Sequence, residues 1–248
     1  MVRLHIHKYT LNASAADRVG LDDQGLRSYM LRVYNYMGTG LALTGAVAFM
    51  VANTPALLEI FYARTAYGVE PTILGYAAMF SPIAFFLVLS FGLNRMSAPM
   101  AQLVFWAFAG VMGLSMSHIF LTYTGTSIAR VFFITSGMFL AMSLYGYTTK
   151  RDLSGMGSFL MMGLIGIIIA SIVNIFIGSS MMQFIISVAG VLLFVALTAY
   201  DTQGIKATYS AHDDGSTAQK KAIHGALRLY LDFINLFMML LHLFGKRE

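Results

Sequence analysis

The chain has no cysteine, and only 11% of its residues are charged. Without thiols it can form no disulfide, no thiolate metal site and no cysteine nucleophile. Soluble domains carry about 25% charged residues, so the low charged fraction argues against a water-soluble fold. What the sequence has instead is 58% hydrophobic residues. This composition predicts an integral membrane protein, because lipid accepts apolar surface that a soluble fold of this size could not bury.

The net charge of +5 would suggest a nucleic-acid partner in a soluble protein. Here the cations are scattered through short gaps between apolar segments, so we interpret them as topology signals and expect no nucleic-acid binding. The first 28 residues are polar and lack the apolar region of a cleavable signal peptide. We therefore predict a polar N-terminal tail over 1–28 and a transmembrane domain over 29–248.

Seven apolar runs are long enough to cross a hydrocarbon core of about 30 Å, which takes about 20 helical residues. They cover residues 29–51, 72–93, 98–121, 128–148, 156–177, 181–203 and 224–244. This pattern predicts an all-α, polytopic membrane protein, a seven-transmembrane-helix bundle whose partner is the lipid bilayer. Most connections are short, so successive helices should be antiparallel neighbours.

Lys and Arg residues in the gaps lie mainly on the side of the N-terminus. Since positive charge is retained in the cytoplasm, this asymmetry predicts a cytoplasmic N-terminus and, after seven crossings, an external C-terminus. Lys246 and Arg247 oppose that assignment. A re-entrant seventh segment, which would return both residues to the cytoplasmic side, stays open as an alternative.

A stripe of small residues marks the third apolar run. Ala109, Gly113 and Ser117 recur at every fourth position, which places them on one face of a helix. Such a stripe predicts that a neighbouring helix approaches closely.

Only two acidic residues lie well inside apolar runs, Asp201 in LTAYDTQ and Asp232 in LYLDFINLF. The sixth and seventh runs are antiparallel, and Asp201 lies a few residues before the loop that joins them. Asp232 lies about 12 Å beyond His224 at the start of the seventh run. Both carboxyl groups therefore fall in the same half of the membrane, and we predict that they face each other.

A carboxylate at the centre of a membrane helix costs roughly 2.5–3.5 kcal/mol, so it should face a partner or water. Two carboxyl groups in one such site resist double ionisation and can share a proton. The pair would then act as a pH-sensitive latch, which joins two helices while one proton is shared. When both groups are ionised they repel each other and offer oxygen ligands to Ca²⁺. The alternative is separate neutralisation, of Asp232 by Arg228 and of Asp201 by Lys206.

Two C-terminal stretches carry a family resemblance. LTAYDTQGIK at 197–206, followed by GALRLYLDFINLF at 225–237, resembles the paired signature of the Bax inhibitor-1 family, the transmembrane Bax-inhibitor-motif proteins. LRVYNYMGTGLALTG at 31–45 resembles the first helix of bacterial members, which suggests a bacterial inner membrane. The resemblance implies a seven-helix fold with a central last helix. It also implies a pH-sensitive Ca²⁺ leak channel gated by Asp201 and Asp232, without a cofactor. Ca²⁺, the transported ion, would be held by these two residues.

Three nearby residues are candidate modulators of this pair. In the family, an arginine near the end of the second helix can engage the acids, and Arg95 is only approximately in that place. Arg228 stands where the family pattern has a small residue, and a buried cation one turn from Asp232 would favour ionised carboxylates and shift the proton switch. Asn235 lies three residues after Asp232, on nearly the same helical face.

Two other functions are alternatives to the leak channel. Aspartyl intramembrane proteases also place Y-D in a sixth helix, matched here by Tyr200 and Asp201. That class uses G-x-G-D in the seventh helix, whereas residues 229–231 before Asp232 are Leu, Tyr and Leu, so we do not predict an enzyme. The second rival stays open: a non-conducting regulator or adaptor that binds other membrane proteins, such as a quality-control protease.

Overall fold

A computed structural model describes the backbone of residues 2–65 and 68–247, and the side chains from Asp23 onward apart from a few near residue 66 and that of Asn94. The first half contains, in order, α1 (Val2–Asn53), α2 (Pro55–Phe61), β1 (Tyr62–Thr65), β2 (Gly68–Pro71), α3 (Ile73–Gly92), a 3₁₀ turn (Leu93–Arg95), α4 (Ala98–Met116) and α5 (Ile119–Thr122). The second half contains α6 (Gly125–Thr148), a second 3₁₀ turn (Ser154–Met156), α7 (Gly157–Ile177), α8 (Ser180–Ala207) and α9 (Gly215–Phe244).

Seven helical segments of the described chain are long and apolar enough to cross a membrane. They are Asp23–Asn53, Ile73–Gly92, Ala98–Thr122, Gly125–Thr148, Ser154–Ile177, Ser180–Ala207 and Gly215–Phe244. Each overlaps one predicted apolar run, which confirms the predicted all-α, seven-helix membrane fold. Long apolar segments form helices because, in lipid, only internal hydrogen bonds can satisfy the backbone. The helix α1 already begins at Val2, and the division into a tail and a domain at residue 28 stays a prediction.

The two longest gaps between the predicted apolar runs, 52–71 and 204–223, contain more regular structure than their sequences suggest. The first holds α2 and an antiparallel hairpin, in which Tyr62 of β1 pairs with Pro71 of β2. The second is reduced to residues 208–214, because α9 begins at Gly215 and not near 224. Asp214 caps α9 by accepting a hydrogen bond from the backbone N–H of Thr217, and Ala, Gln and Lys residues that favour helix follow it. The cap therefore extends the helix beyond its apolar run.

The last helix, α9, lies at the centre of the bundle. It contacts α1, α4, α6 and α8, and half of its most apolar window is buried, against 11% for α7. The side chains of Leu229, Tyr230 and Leu236 are fully buried. In contrast, α3 and α7 present large apolar side chains outward, such as Ile73 and Phe176, as expected for helices that face lipid. The central last helix agrees with the family resemblance.

The small-residue stripe on α4 faces α1 and the hairpin. The Thr44 hydroxyl donates to the carbonyl oxygen of Ala109 at 2.8 Å, and a Cβ atom added to Gly113 would lie 2.7 Å from the Thr44 carbonyl oxygen. The Tyr62 hydroxyl lies 3.0 Å from the Ser117 hydroxyl oxygen. The close approach predicted from the stripe is therefore confirmed.

The C-terminal residues are bound to the connection between α5 and α6. The backbone N–H of Thr124 donates to the carbonyl oxygen of Lys246 at 3.0 Å, and the backbone N–H of Lys246 donates to the Ser127 hydroxyl at 2.9 Å. Three spanning segments separate that connection from the N-terminus, so it lies at the opposite end of the bundle. Together with the unbroken helix Gly215–Phe244, these bonds favour seven full crossings over a re-entrant last segment.

Candidate functional site

The structure brings the two predicted acids together at the contact between α8 and α9, which is the most extensive helix–helix contact of the described chain. The helices approach closely near this point, because a Cβ atom added to Gly225 would lie 2.9 Å from the Ile205 side chain. Asp201 on α8 is 7% exposed and Asp232 on α9 is 5% exposed. Their carboxyl groups lie within hydrogen-bonding reach of each other. We call these two residues the aspartate pair; their role in sensing protons stays a prediction.

Arg228 binds Asp201 with two hydrogen bonds. Its Nε donates to Oδ2 at 3.1 Å, and its Nη2 donates to Oδ1. This bidentate geometry suits the planar guanidinium and carboxylate groups and makes the contact directional. Arg228 therefore neutralises the acid on the opposite helix, and not the acid one turn away on its own helix. The separate pairing of Arg228 with Asp232 is not the arrangement seen.

One oxygen of Asp232 has no partner. Among the described side chains, its Oδ2 is the only buried nitrogen or oxygen atom without a hydrogen bond. A hydrogen bond between two carboxyl groups requires a proton on one of them. Since Asp201 already accepts from the guanidinium, it is the natural acceptor and Asp232 the natural donor. The aspartate pair can thus hold one proton and one negative charge, and Arg228 balances that charge.

Two further candidate modulators do not contact the pair in the described part of the chain. Arg95 is exposed in the first 3₁₀ turn and has no hydrogen bond or ion pair to either aspartate. The Asn235 amide donates back to the carbonyl oxygen of Leu231 on its own helix at 2.8 Å. Of the three candidates, only Arg228 touches the aspartate pair.

Lys206 also has a partner other than Asp201. Its Nζ donates to the carbonyl oxygen of Tyr147 at 2.9 Å and lies 4.9 Å from the centroid of the Tyr147 ring. The alternative in which Lys206 neutralises Asp201 is therefore not the arrangement seen. Among the described side chains, Arg228 is the only cation that forms an ion pair with the aspartate pair.

A cavity of about 410 Å³ opens beside Arg228 and was not predicted from the sequence. We call it the basic cavity; its lining residues are Ser90, Leu93, Ile205, Thr208, Thr217, Lys220, Lys221, His224, Gly225 and Arg228. The sequence contains one indication of this cavity, since the basic side chains at 220, 224 and 228 recur at every fourth position, with Lys221 beside them, and so share a helical face. Only packing against α3 and α8 converts that face into a cavity.

The described side chains contain no group of three or more His, Asp or Glu residues that could hold a metal ion. Ca²⁺ takes about 6–8 oxygen ligands, more than the two carboxyl groups of Asp201 and Asp232 supply. Binding of Ca²⁺ at the aspartate pair stays a prediction in which water supplies the other ligands.

Seven spanning helices with α9 at their centre, and two acids buried where α8 meets α9, define a polytopic membrane protein with an intramembrane acidic pair. The model of the protein family described as "Inhibitor of apoptosis-promoting Bax1" matches residues 26–248. The chain belongs to this family, the Bax inhibitor-1 family, as the C-terminal signature indicated. It is not a known enzyme family or a cofactor-dependent one.

Bacterial proteins of similar sequence extend over nearly the whole chain. An uncharacterized protein of Rickettsia prowazekii is 46% identical over 240 residues, which cover 97% of this chain and 98% of the relative. The inner membrane protein YbhL of Escherichia coli K12 is 45% identical over 226 residues, 90% of this chain and 94% of YbhL. An uncharacterized membrane protein of Streptococcus pyogenes is 36% identical over 228 residues, 91% of this chain and 96% of the relative.

Proposed function

We propose that the protein is a pH-sensitive Ca²⁺ leak channel in which Asp201 and Asp232 sense protons. The observation that carries this proposal is the contact of two buried carboxyl groups that share one counter-cation. With one proton present, Asp232 donates to Asp201 and links α9 to α8. Loss of that proton leaves two negative charges against the single positive charge of Arg228, so the carboxylates repel each other and the helices separate.

The charge balance also explains why a divalent cation would enter the separated pair. Two carboxylates and one guanidinium leave one net negative charge in a site shielded from water. Carboxylate oxygens are the ligands that Ca²⁺ prefers. Water that enters between the separated helices would complete the coordination shell and provide the path for the ion.

The proposed location is the bacterial inner membrane, with the aspartate pair nearer the cytoplasmic surface. The excess of Lys and Arg on the side of the N-terminus supports this orientation. The name of the E. coli relative, inner membrane protein YbhL, supports the choice of membrane. In this orientation the loop 208–214 and the basic cavity face the cytoplasm.

The test is Ca²⁺ flux into liposomes that contain the purified protein and a Ca²⁺-sensitive dye, measured across pH. We expect the wild-type flux to rise with pH as the shared proton is lost. Asp201→Asn and Asp232→Asn should both lose this pH dependence, because neither variant keeps two ionisable carboxyl groups in contact. Asp152→Asn, the same chemical change at an exposed loop residue, should retain it.

Two outcomes would overturn the proposal. An unchanged pH dependence in Asp232→Asn would show that the pair does not sense the proton. Absence of flux at every pH, together with stoichiometric copurification of another membrane protein, would favour the regulator or adaptor function.

A further inference from the structure

The basic cavity lies where the loop 208–214 leaves the bundle. Ser90 comes from the end of α3 and Thr208 directly follows α8, while Thr217, Lys220 and Arg228 come from the N-terminal half of α9. About 410 Å³ of space lies between these elements, and Arg228, the lining cation farthest along α9, is hydrogen bonded to Asp201. The cavity is thus adjacent to the aspartate pair but distinct from it.

All the charged side chains that line this cavity are basic. Lys220, Lys221 and Arg228 line it together with His224, and no lining residue is an aspartate or glutamate. Like charges at neighbouring positions on one helix face repel each other. A cluster of this kind is stabilised by an anion that bridges its members.

Two of the three cations already have carboxylate partners. Lys221 pairs with Asp213 at 2.7 Å, and Arg228 pairs with Asp201. Lys220 has no ion pair among the described side chains, and Asp214 exerts only a longer-range attraction on it. The positive charge of Lys220 is therefore the part of the cluster that lacks a direct partner.

The lining supplies donors that suit an oxyanion. A lysine ammonium carries three N–H donors and an arginine guanidinium five, and neither can accept a hydrogen bond. Arg228 uses only its Nε and Nη2 toward Asp201, and its side chain is 35% exposed, which leaves N–H groups available to the cavity. Hydroxyl groups of Ser90 and Thr217 add further donors at the rim. A metal cation would find no carboxylate there.

We propose that the basic cavity binds a phosphate group, carried by a free phosphate ion or by a lipid headgroup, between Lys220, His224 and the free N–H groups of Arg228. Its position at the ends of α3, α8 and α9 places it at the depth where lipid phosphates lie, and basic pockets between membrane helices bind such headgroups. A bound phosphate also competes with Asp201 for the same guanidinium.

The first experiment measures binding of radiolabelled inorganic phosphate to the detergent-purified full-length protein by equilibrium dialysis. A Lys220→Gln/His224→Gln double variant should bind at least about tenfold more weakly, since losing one charge-assisted hydrogen bond changes affinity by about this factor. Neither side chain is buried in the apolar core, so the variant should fold. Lys220→Arg should retain binding, and Lys150→Gln, an exposed cation of the α6–α7 connection, should bind like the wild type.

The second experiment distinguishes the source of the phosphate. The protein is placed in nanodiscs of phosphatidylcholine with or without phosphatidylglycerol, and the phosphatidylglycerol that remains bound after extraction is counted by native mass spectrometry. Retention by the wild type but not by the double variant, without binding of inorganic phosphate, assigns the cavity to a lipid headgroup. Phosphate binding in the dialysis experiment, without such retention, assigns it to a free ion. If the double variant matches the wild type with both probes, the proposal is wrong.

A third variant tests the competition for Arg228. Asp201→Asn removes the carboxylate that holds the guanidinium, so it should bind the preferred probe several-fold more tightly than the wild type. Weaker binding by Asp201→Asn would contradict this part of the proposal. Because these measurements involve no ion flux, their result is independent of the leak activity proposed above.

Discussion

At the scale of single residues, the direction of the Arg228 side chain decides which carboxylate it neutralises. Side chains of a helix point toward its N-terminus, so Arg228 extends away from Asp232, which follows it by one turn. It reaches α8 instead and binds Asp201 at 3.1 Å. The ion pair between Arg228 and Asp201 therefore links α9 to α8. Any movement of one helix against the other must break this ion pair or move both of its partners together.

Replacement of that bridge is the most direct test at this scale. In Arg228→Gln, no cation balances the pair, so a shared proton is retained to higher pH and the Ca²⁺ flux should begin at higher pH than in the wild type. Arg228→Lys keeps the positive charge but loses the bidentate contact. Its Ca²⁺ flux should therefore begin at a pH between those of the wild type and of Arg228→Gln. Arg130→Gln, an exposed cation of α6, serves as the control. A shift toward lower pH in Arg228→Gln would contradict the assigned role.

Asp214 provides a separate pH-dependent prediction outside the membrane-spanning segments. Its hydrogen bond from the backbone N–H of Thr217 lowers the pKa of its carboxyl group. A lowered pKa means that the cap stabilises α9 at neutral pH and that this stabilisation is lost as the pH falls through the folded-state value. Hydrogen exchange of the amides in residues 216–219 should therefore accelerate in acid, once the intrinsic pH dependence of exchange is subtracted.

The variants of Asp214 distinguish the cap from general acid effects. Asp214→Ala should show fast exchange at every pH because no side chain accepts the Thr217 N–H. Asn is also a favourable N-cap residue, and it does not titrate. Asp214→Asn should therefore retain slow exchange without the acid transition, and an acid transition in this variant would refute the explanation.

At the scale of elements, α6 holds α8 in place through direct backbone contact. A Cβ atom added to Gly146 would lie 2.2 Å from the carbonyl oxygen of Ala199, which precedes Asp201 by two residues. The backbone cannot yield as a flexible side chain would. The position of α8, and with it that of Asp201, therefore depends on the absence of a side chain at residue 146.

Gly146→Ala should separate α6 from α8 and destabilise the fold by about 1–3 kcal/mol, the usual effect of overpacking. Gly137→Ala on the same helix is the matched control, because an added Cβ there meets nothing within 4 Å. Thermal unfolding in detergent, followed by the loss of helical circular dichroism, measures both variants. Equal melting temperatures for the two would show that this contact does not position α8.

At the scale of the whole molecule, the seven helices were predictable because their length and apolar composition are dictated by the membrane. The start of α9 was not, since the cap at Asp214 acts outside the apolar run that marks the helix. The depth of the two aspartates follows from counting residues along each helix, but the rotation of the helices does not. For this reason the contact of Arg228 with Asp201, and the cavity beside it, become visible only once α8 and α9 are packed.

The orientation in the membrane can be tested on the cysteine-free background. Single cysteines at Ala211 and Thr126, both exposed, mark the connections at opposite ends of the bundle. A membrane-impermeant maleimide applied to intact spheroplasts should label Thr126→Cys and not Ala211→Cys, whereas inverted vesicles should give the reverse. The opposite pattern would mean that the N-terminus is external.

The two attachments of α9 limit how the bundle can open. Near its start, Lys221 donates to the carbonyl oxygen of Thr208 at the end of α8 at 3.1 Å, and beyond its end Lys246 is hydrogen bonded to Thr124 and Ser127. Translation of α9 along its own axis would break both attachments. A twist or bow of the middle third, where Asp232 lies, breaks neither. These attachments therefore restrain α9 against axial translation more strongly than against local bending.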